Sequence, residues 1–72
     1  MNKIKKIKIN LNGKPILINK DVSIFSIIKK IKAPLDKIAI ELNKEIVNKK
    51  KIKKIILKKN DTLEIVHFIG GG

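Results

Sequence analysis

Cysteine, arginine, tryptophan and tyrosine are all absent from this 72-residue chain. Without cysteine, neither a disulfide nor a thiolate metal site can brace a fold of this size, in which only about 60 % of the unfolded chain's surface becomes buried. Apolar packing has to hold the molecule together. Without arginine, a protein of formal charge +12 lacks the planar fork that grips phosphate bidentately and reads guanine edges. Its two aromatics, Phe25 and Phe68, leave almost nothing to stack on bases. The single histidine, His67, has no cysteine or second histidine with which to form a metal or nucleophile site. No uninterrupted apolar run exceeds three residues, against the roughly 20 needed to span a bilayer. Lysines also break the opening "MNKIKKIKIN" before it can supply the apolar stretch of a secretory signal. The expectation is a cytoplasmic protein without a membrane partner, for which nucleic acid is an unlikely ligand.

What the chain does have is isoleucine and lysine. Seventeen isoleucines, within an apolar share of 43 %, provide the β-branched volume for a real core. All 18 basic residues are lysine. The joint excess of Lys, Ile and Asn reads as a coding bias toward A- and T-rich codons rather than as selection for a polyanion. Residues 1–59 hold every lysine and four acidic residues, a balance of +14, whereas the last 13 residues hold Asp61 and Glu64 and no lysine. The C-terminal segment escapes the drift, as a segment restricted by a partner surface would.

The periodicity describes one unit without repeats or linkers. In "KIKINLNGKPILIN", Ile7, Ile9 and Leu11 alternate with polar residues, Asn12-Gly13 supplies a hairpin turn, and a second strand covers Ile16 to Asn19 with Pro15 at a strand start or edge. Ile24, Ile27, Ile28 and Ile31 then fall on one face of a helix, with Asp21 or Ser23 as its N-cap and Pro34 beyond its end. Ile38, Ile40 and Leu42 mark a third strand, Glu45 to Val47 a short fourth, and Ile52, Ile55 and Ile56 a helical turn tucked under the sheet. In the last strand Leu63 and Ile65 face one way and Glu64, Val66 and Phe68 the other. The order β-β-α-β-β-β predicts an α+β fold of the β-grasp type, with a mixed sheet of about five strands and one covering helix. Residues 1–67 form the domain and 68–72 a flexible tail.

The segments "INLNGKPILI", "IAIELNKEIV" and above all "DTLEIVHFIGGG" resemble the ThiS family of ubiquitin-like sulfur carriers, from about Ile7 to Gly72. The resemblance implies that the Gly72 carboxylate is adenylated with ATP and Mg²⁺ by a ThiF-like adenylyltransferase. A persulfide sulfur, from a cysteine desulfurase or sulfurtransferase, would then leave a thiocarboxylate for a ThiG-like thiazole synthase in thiamine biosynthesis. The carrier itself binds no cofactor. Gly70, Gly71 and Gly72 match the family's terminal glycines, and Val66, Phe68 and Ile69 would form the partner interface beside them. The small subunit of molybdopterin synthase has the same fold and tail chemistry, and a small basic nucleic-acid binder is the alternative from another class. The family's usual Asn-Gly turn is Asn43-Lys44 here, which predicts either backbone strain or a wider loop. The charge of +12 implies a partner with compensating acidic residues.

Residue chemistry leads to the same role. A carboxylate is a poor electrophile, and no side chain here activates it, so the chain is expected to be a substrate of a partner enzyme rather than a catalyst. Glycine has no Cβ and can thread a narrow channel in backbone conformations closed to other residues. Extended at about 3.3 to 3.6 Å per residue, the stretch after His67 would reach about 17 Å. The run "KKKIKK" reads as a solvated face.

Overall fold

Two asparagine turns set the two hairpins. The computed structural model describes residues 5–68. Within them β1 (Lys6–Leu11) and β2 (Lys14–Asn19) pair antiparallel through a two-residue turn, Leu11 opposite Lys14. Asn12 at φ 51° and Gly13 at φ 82° give the type I′ geometry, whose twist matches that of the flanking strands. The second hairpin joins β3 (Ile38–Leu42) to β4 (Glu45–Ile46) in the same way, Leu42 opposite Glu45. Its turn residues are Asn43 at φ 52° and Lys44 at φ 72°. The loop has therefore not widened to accommodate lysine; Lys44 sits in the left-handed region that favours glycine. The fourth strand ends at Ile46 rather than Val47, although the Val47 N–H still donates to the Ile40 carbonyl at 2.8 Å.

The last strand, β5 (Thr62–His67), enters the middle of the sheet, in the order β2-β1-β5-β3-β4. It runs parallel to β1, with Asn10 opposite Thr62, and antiparallel to β3 along its whole length, from Leu42–Leu63 to Ile38–His67. Pro15, which cannot donate to a ladder, lies on the edge strand β2.

Helix α1 (Ile24–Ile31) covers one face of this sheet. Its first-turn N–H groups, which have no partner inside a helix, are all accounted for. Ile24 N–H donates to the Ile55 carbonyl at 3.0 Å, Phe25 N–H to the Ile52 carbonyl at 3.2 Å and Ser26 N–H to the Ser23 hydroxyl at 3.1 Å, while Ile27 N–H reaches the Ser23 carbonyl at 3.4 Å. Ser23 is thus the cap, and Asp21 instead takes a left-handed turn at φ 68°. The helix closes on Lys32, again left-handed, with Ala33 N–H bonded to the Ile28 carbonyl at 3.2 Å.

Ile52 lies in the helical region at the end of a 3-10 turn that Lys54 N–H extends to the Lys51 carbonyl at 2.9 Å, but the turn does not reach Ile56, which bridges Ser23. The 3-10 turn lies one step earlier, at Lys49–Lys51. Ile52 and Leu57 are the residues buried here, while Ile55 is half-buried and Ile56 exposed. Ile31, at the helix end, is also exposed. The core consists of nine isoleucines and two leucines: Ile9, Ile18, Ile24, Ile27, Ile28, Ile38, Ile40, Ile52, Ile65, Leu57 and Leu63. Each contributes about 1.5 to 3 kcal/mol on burial, and Phe25 packs only at the margin.

Two substitutions test this account of the turns. Lys44→Gly relieves a left-handed lysine and is expected to stabilise the protein by about 1 kcal/mol, seen as a higher urea midpoint at unchanged slope. Asn12→Ala removes the acceptor for the Ile65 N–H, a 2.7 Å bond between residues far apart in sequence, and is expected to cost about 1 to 3 kcal/mol in the same assay.

Candidate functional site

The site is built around β5, since that strand leads into the C-terminal glycines. Its alternation is as the residue pattern predicts: Leu63 and Ile65 are buried under α1, while Glu64 and Val66 face the uncovered side of the sheet. Val66 is 54 % exposed and Phe68 48 %, so both large apolar side chains stand available beside the tail. Ile69, Gly70, Gly71 and Gly72, the other residues assigned to the tail and interface, lie outside the described residues.

Turn side chains hold β5 in place at both flanks. On the β1 side, Asn12 N–H donates to the Leu63 carbonyl at 2.9 Å, and its side-chain oxygen accepts from Ile65 N–H, continuing the parallel pairing after the β1 backbone has turned away. On the β3 side, the Asn43 oxygen accepts from Thr62 N–H at 2.9 Å while its amide donates to the Asp61 carboxylate at 3.0 Å. That carboxylate also accepts from Lys58 N–H at 2.7 Å, closing the turn that precedes β5. The asparagines that make type I′ turns possible therefore also register the central strand.

The open face divides by charge in a way that net charge conceals. Cross-strand pairing places Lys6 and Lys8 of β1 beside Asn19 and Leu17 of β2 on one half. On the other half, Glu64 stands directly opposite Glu41, which in turn faces Ile46, and Val66 stands opposite Ala39. Two of the six acidic residues thus meet as a half-buried like-charge pair next to an apolar strip of Val66, Ala39 and Ile46. A basic protein therefore presents an acidic, apolar patch on the β3–β5 half of its open face. Glu41 and Glu64 lie far apart in the chain. The available signal was their shared outward parity on two strands, which becomes a contact only once β3 and β5 are known to be neighbours.

Where β5 ends, three segments converge. Phe68 N–H donates to the Lys37 carbonyl at 3.1 Å, one step beyond the last paired residues. The Lys49 ammonium lies 5.4 Å from the centroid of the Phe68 ring and donates to the Leu35 carbonyl at 2.8 Å. Lys49 was indistinguishable in sequence from its neighbours in the run "KKKIKK". His67 is exposed, and among the described residues no group of His, Asp and Glu is placed to hold a metal ion. No described helix is long and apolar enough to cross a membrane.

Comparison with known proteins bears on this strand and tail together. The model of the ThiS family matches residues 5–72. Over 65 residues the chain is 35 % identical to the sulfur carrier protein ThiS of Bacillus subtilis, covering 89 % of this chain and 98 % of that one. It is 34 % identical over 65 residues to a thiazole synthase of Magnetococcus marinus, covering 90 % of this chain but only 20 % of that protein, so it spans about a fifth of that relative's length. The crystal structure of a thiamine biosynthesis protein, ThiS, from Geobacter metallireducens superposes with a TM-score of 0.80 at 25 % identity, covering 92 % of this chain and all of the other. Its solution structure gives a TM-score of 0.73 over the same share of this chain.

The like-charge pair generates a prediction of its own. At physiological salt the screening length of about 8 Å leaves the two cross-strand glutamates to repel while muting the distant lysines. Glu41→Gln and Glu64→Gln, singly, are therefore each expected to raise stability, by about 0.5 kcal/mol. Guanidinium or thermal unfolding in about 0.15 M salt is the check, and a loss of stability would mean that the lysines govern this pair instead.

Proposed function

The chain belongs to the ThiS family, and from that premise we propose that it is a sulfur carrier for thiamine biosynthesis, bearing the sulfur as a thiocarboxylate on Gly72. The observation that carries the reading is the joining of an ordered central strand, with its exposed Val66 and Phe68, to three glycines inside the stretch matched by the family model.

In this proposal the Gly72 carboxylate oxygen attacks the α-phosphorus of ATP held with Mg²⁺ by a ThiF-like adenylyltransferase, and pyrophosphate leaves. The mixed anhydride is now an electrophile, which the free carboxylate was not. A cysteine persulfide from a desulfurase or sulfurtransferase attacks the carbonyl carbon and AMP leaves. A thiol then cleaves the S–S bond, releasing the Gly72 thiocarboxylate and forming a disulfide between the two cysteines. A ThiG-like thiazole synthase accepts the sulfur. That a protein named thiazole synthase contains a stretch 34 % identical to this chain supports the last partner and favours thiazole formation over the molybdopterin branch.

The chain's own contribution is presentation. Glycines without Cβ enter a confined active site, and the domain supplies the docking surface. The patch of Val66, Ala39, Glu41 and Glu64 refines the expectation drawn from net charge: opposite the β3–β5 half of the open face the complementary partner surface is apolar with basic neighbours, and acidic partner residues belong opposite the lysines elsewhere.

Intact mass after incubation with ATP, Mg²⁺, the adenylyltransferase and a persulfide donor tests the proposal. A gain equal to exchange of one oxygen for sulfur is expected, absent from a variant lacking Gly72. Val66→Asp, which leaves the core untouched, is expected to cut adenylation about tenfold or more while its unfolding midpoint stays near that of the parent. An unchanged mass with a demonstrably active partner, together with DNA or RNA affinity falling steeply with salt, would instead favour the nucleic-acid reading.

A further inference from the structure

Lys49 differs from the other lysines. It is half-buried where Lys50 and Lys51 are exposed, and among the described residues it is the lysine whose ammonium donates a hydrogen bond to the protein, to the Leu35 carbonyl at 2.8 Å. Holding a long side chain in one geometry sacrifices its rotamer freedom, so the contact is informative about what is being held. The same ammonium lies 5.4 Å from the centre of the Phe68 ring, within the range of a cation–π attraction. Phe68 is half exposed, so packing covers only part of the ring, and its backbone is held by a single ladder bond to Lys37.

Leu35 and Lys37 belong to the 3-10 turn Leu35–Lys37 that starts β3, and Lys49 opens the 3-10 turn after β4. These two turns are tied by the Lys49 bond, and Phe68 is tied to both: to one through its N–H and to the other through its ring. Phe68 is the last described residue before the glycines. Whatever fixes it fixes the point at which the tail begins.

We propose that Lys49 is a positioning residue for the carrier reaction: its ammonium, anchored on the Leu35 carbonyl, holds Phe68 so that the glycine tail starts in the orientation a partner's active site receives. This rests on the sulfur-carrier reading for its consequence in catalysis, while the clamp itself is a property of the isolated chain. Losing the cation reduces the fraction of molecules with a correctly presented tail. The apparent affinity for the partner falls by that fraction, and turnover of the bound complex does not.

The experiment compares the parent with Lys49→Met, Lys49→Arg and Lys53→Met. Lys53→Met is the control for charge and for cation–π loss, because the Lys53 ammonium lies 4.8 Å from the ring centre of Phe25, a residue of α1 rather than of the tail foot. With the adenylyltransferase, Lys49→Met is expected to raise the KM for the carrier about three- to tenfold with kcat within about twofold. Lys49→Arg, which keeps both the donor and the cation, should return KM to within about twofold of the parent, and Lys53→Met should leave it unchanged. On the isolated chain, amide exchange at Phe68 should quicken by a similar factor in Lys49→Met alone. Unaltered Phe68 exchange in Lys49→Met overturns the clamp, and a lowered melting temperature with unaltered KM reduces Lys49 to a structural role. A parent that is not adenylated by an active enzyme defeats the sulfur-carrier reading instead, and the exchange measurement still decides whether Lys49 holds Phe68.

Discussion

The strand that carries the tail is also the one that completes the sheet. β5 arrives last in sequence and must insert between β1 and β3, where it gains neighbours on both sides. On the parallel side only Asn10–Thr62 and Leu11–Leu63 pair directly and Asn12 extends the hold, while on the other side Asn43 adds to the antiparallel ladder with β3. An unmade hydrogen bond on a strand this deep leaves a backbone donor without water, so Asn12 and Asn43 serve at once as turn formers and as registers for the central strand. Everything functional depends on that insertion: it turns Leu63 and Ile65 into the core, exposes Val66, and sets where the chain leaves the domain.

A core of isoleucine and leucine alone suits this task. Branched side chains are stiff and pack well on a pleated surface, and the helix above contributes three more isoleucines on one stripe. With no buried polar or charged residue among those described, the core makes no directional demands. Specificity of topology is left to the turns and caps, which is where the positive-φ residues gather. Lys32 and Lys44 are both left-handed, in a conformation that glycine adopts more easily.

Electrostatics follows the same separation of global from local. A net charge of +12 describes the molecule as seen from outside its surface, and within about a Debye length it biases encounter. At closer range the open face beside β5 carries Glu41 and Glu64 next to Val66 and Ala39.

Hydropathy period, turn dipeptides and cap residues act within a few positions, and they were enough to place the strands, the helix, the Asn12-Gly13 turn, the inward Leu63 and Ile65, and the outward Val66. The resemblance of "EIVHFIGGG" to a known family did the rest of what sequence could do for function. The turn expected through Ile52, Ile55 and Ile56 stops short because Ile56 bridges Ser23 and the Ile52 and Ile55 carbonyls accept from the start of α1, contacts that no local period encodes. For the same reason the Glu41–Glu64 pair and the Lys49–Phe68 clamp were invisible. Each joins segments brought together only when β5 slides between β1 and β3, and cross-strand register is decided by the summed burial of a whole face rather than by any residue near it in the chain. The sequence by itself determined which elements form and which side of each is apolar. The tertiary structure decided which of their many lysines and few glutamates would stand beside the tail.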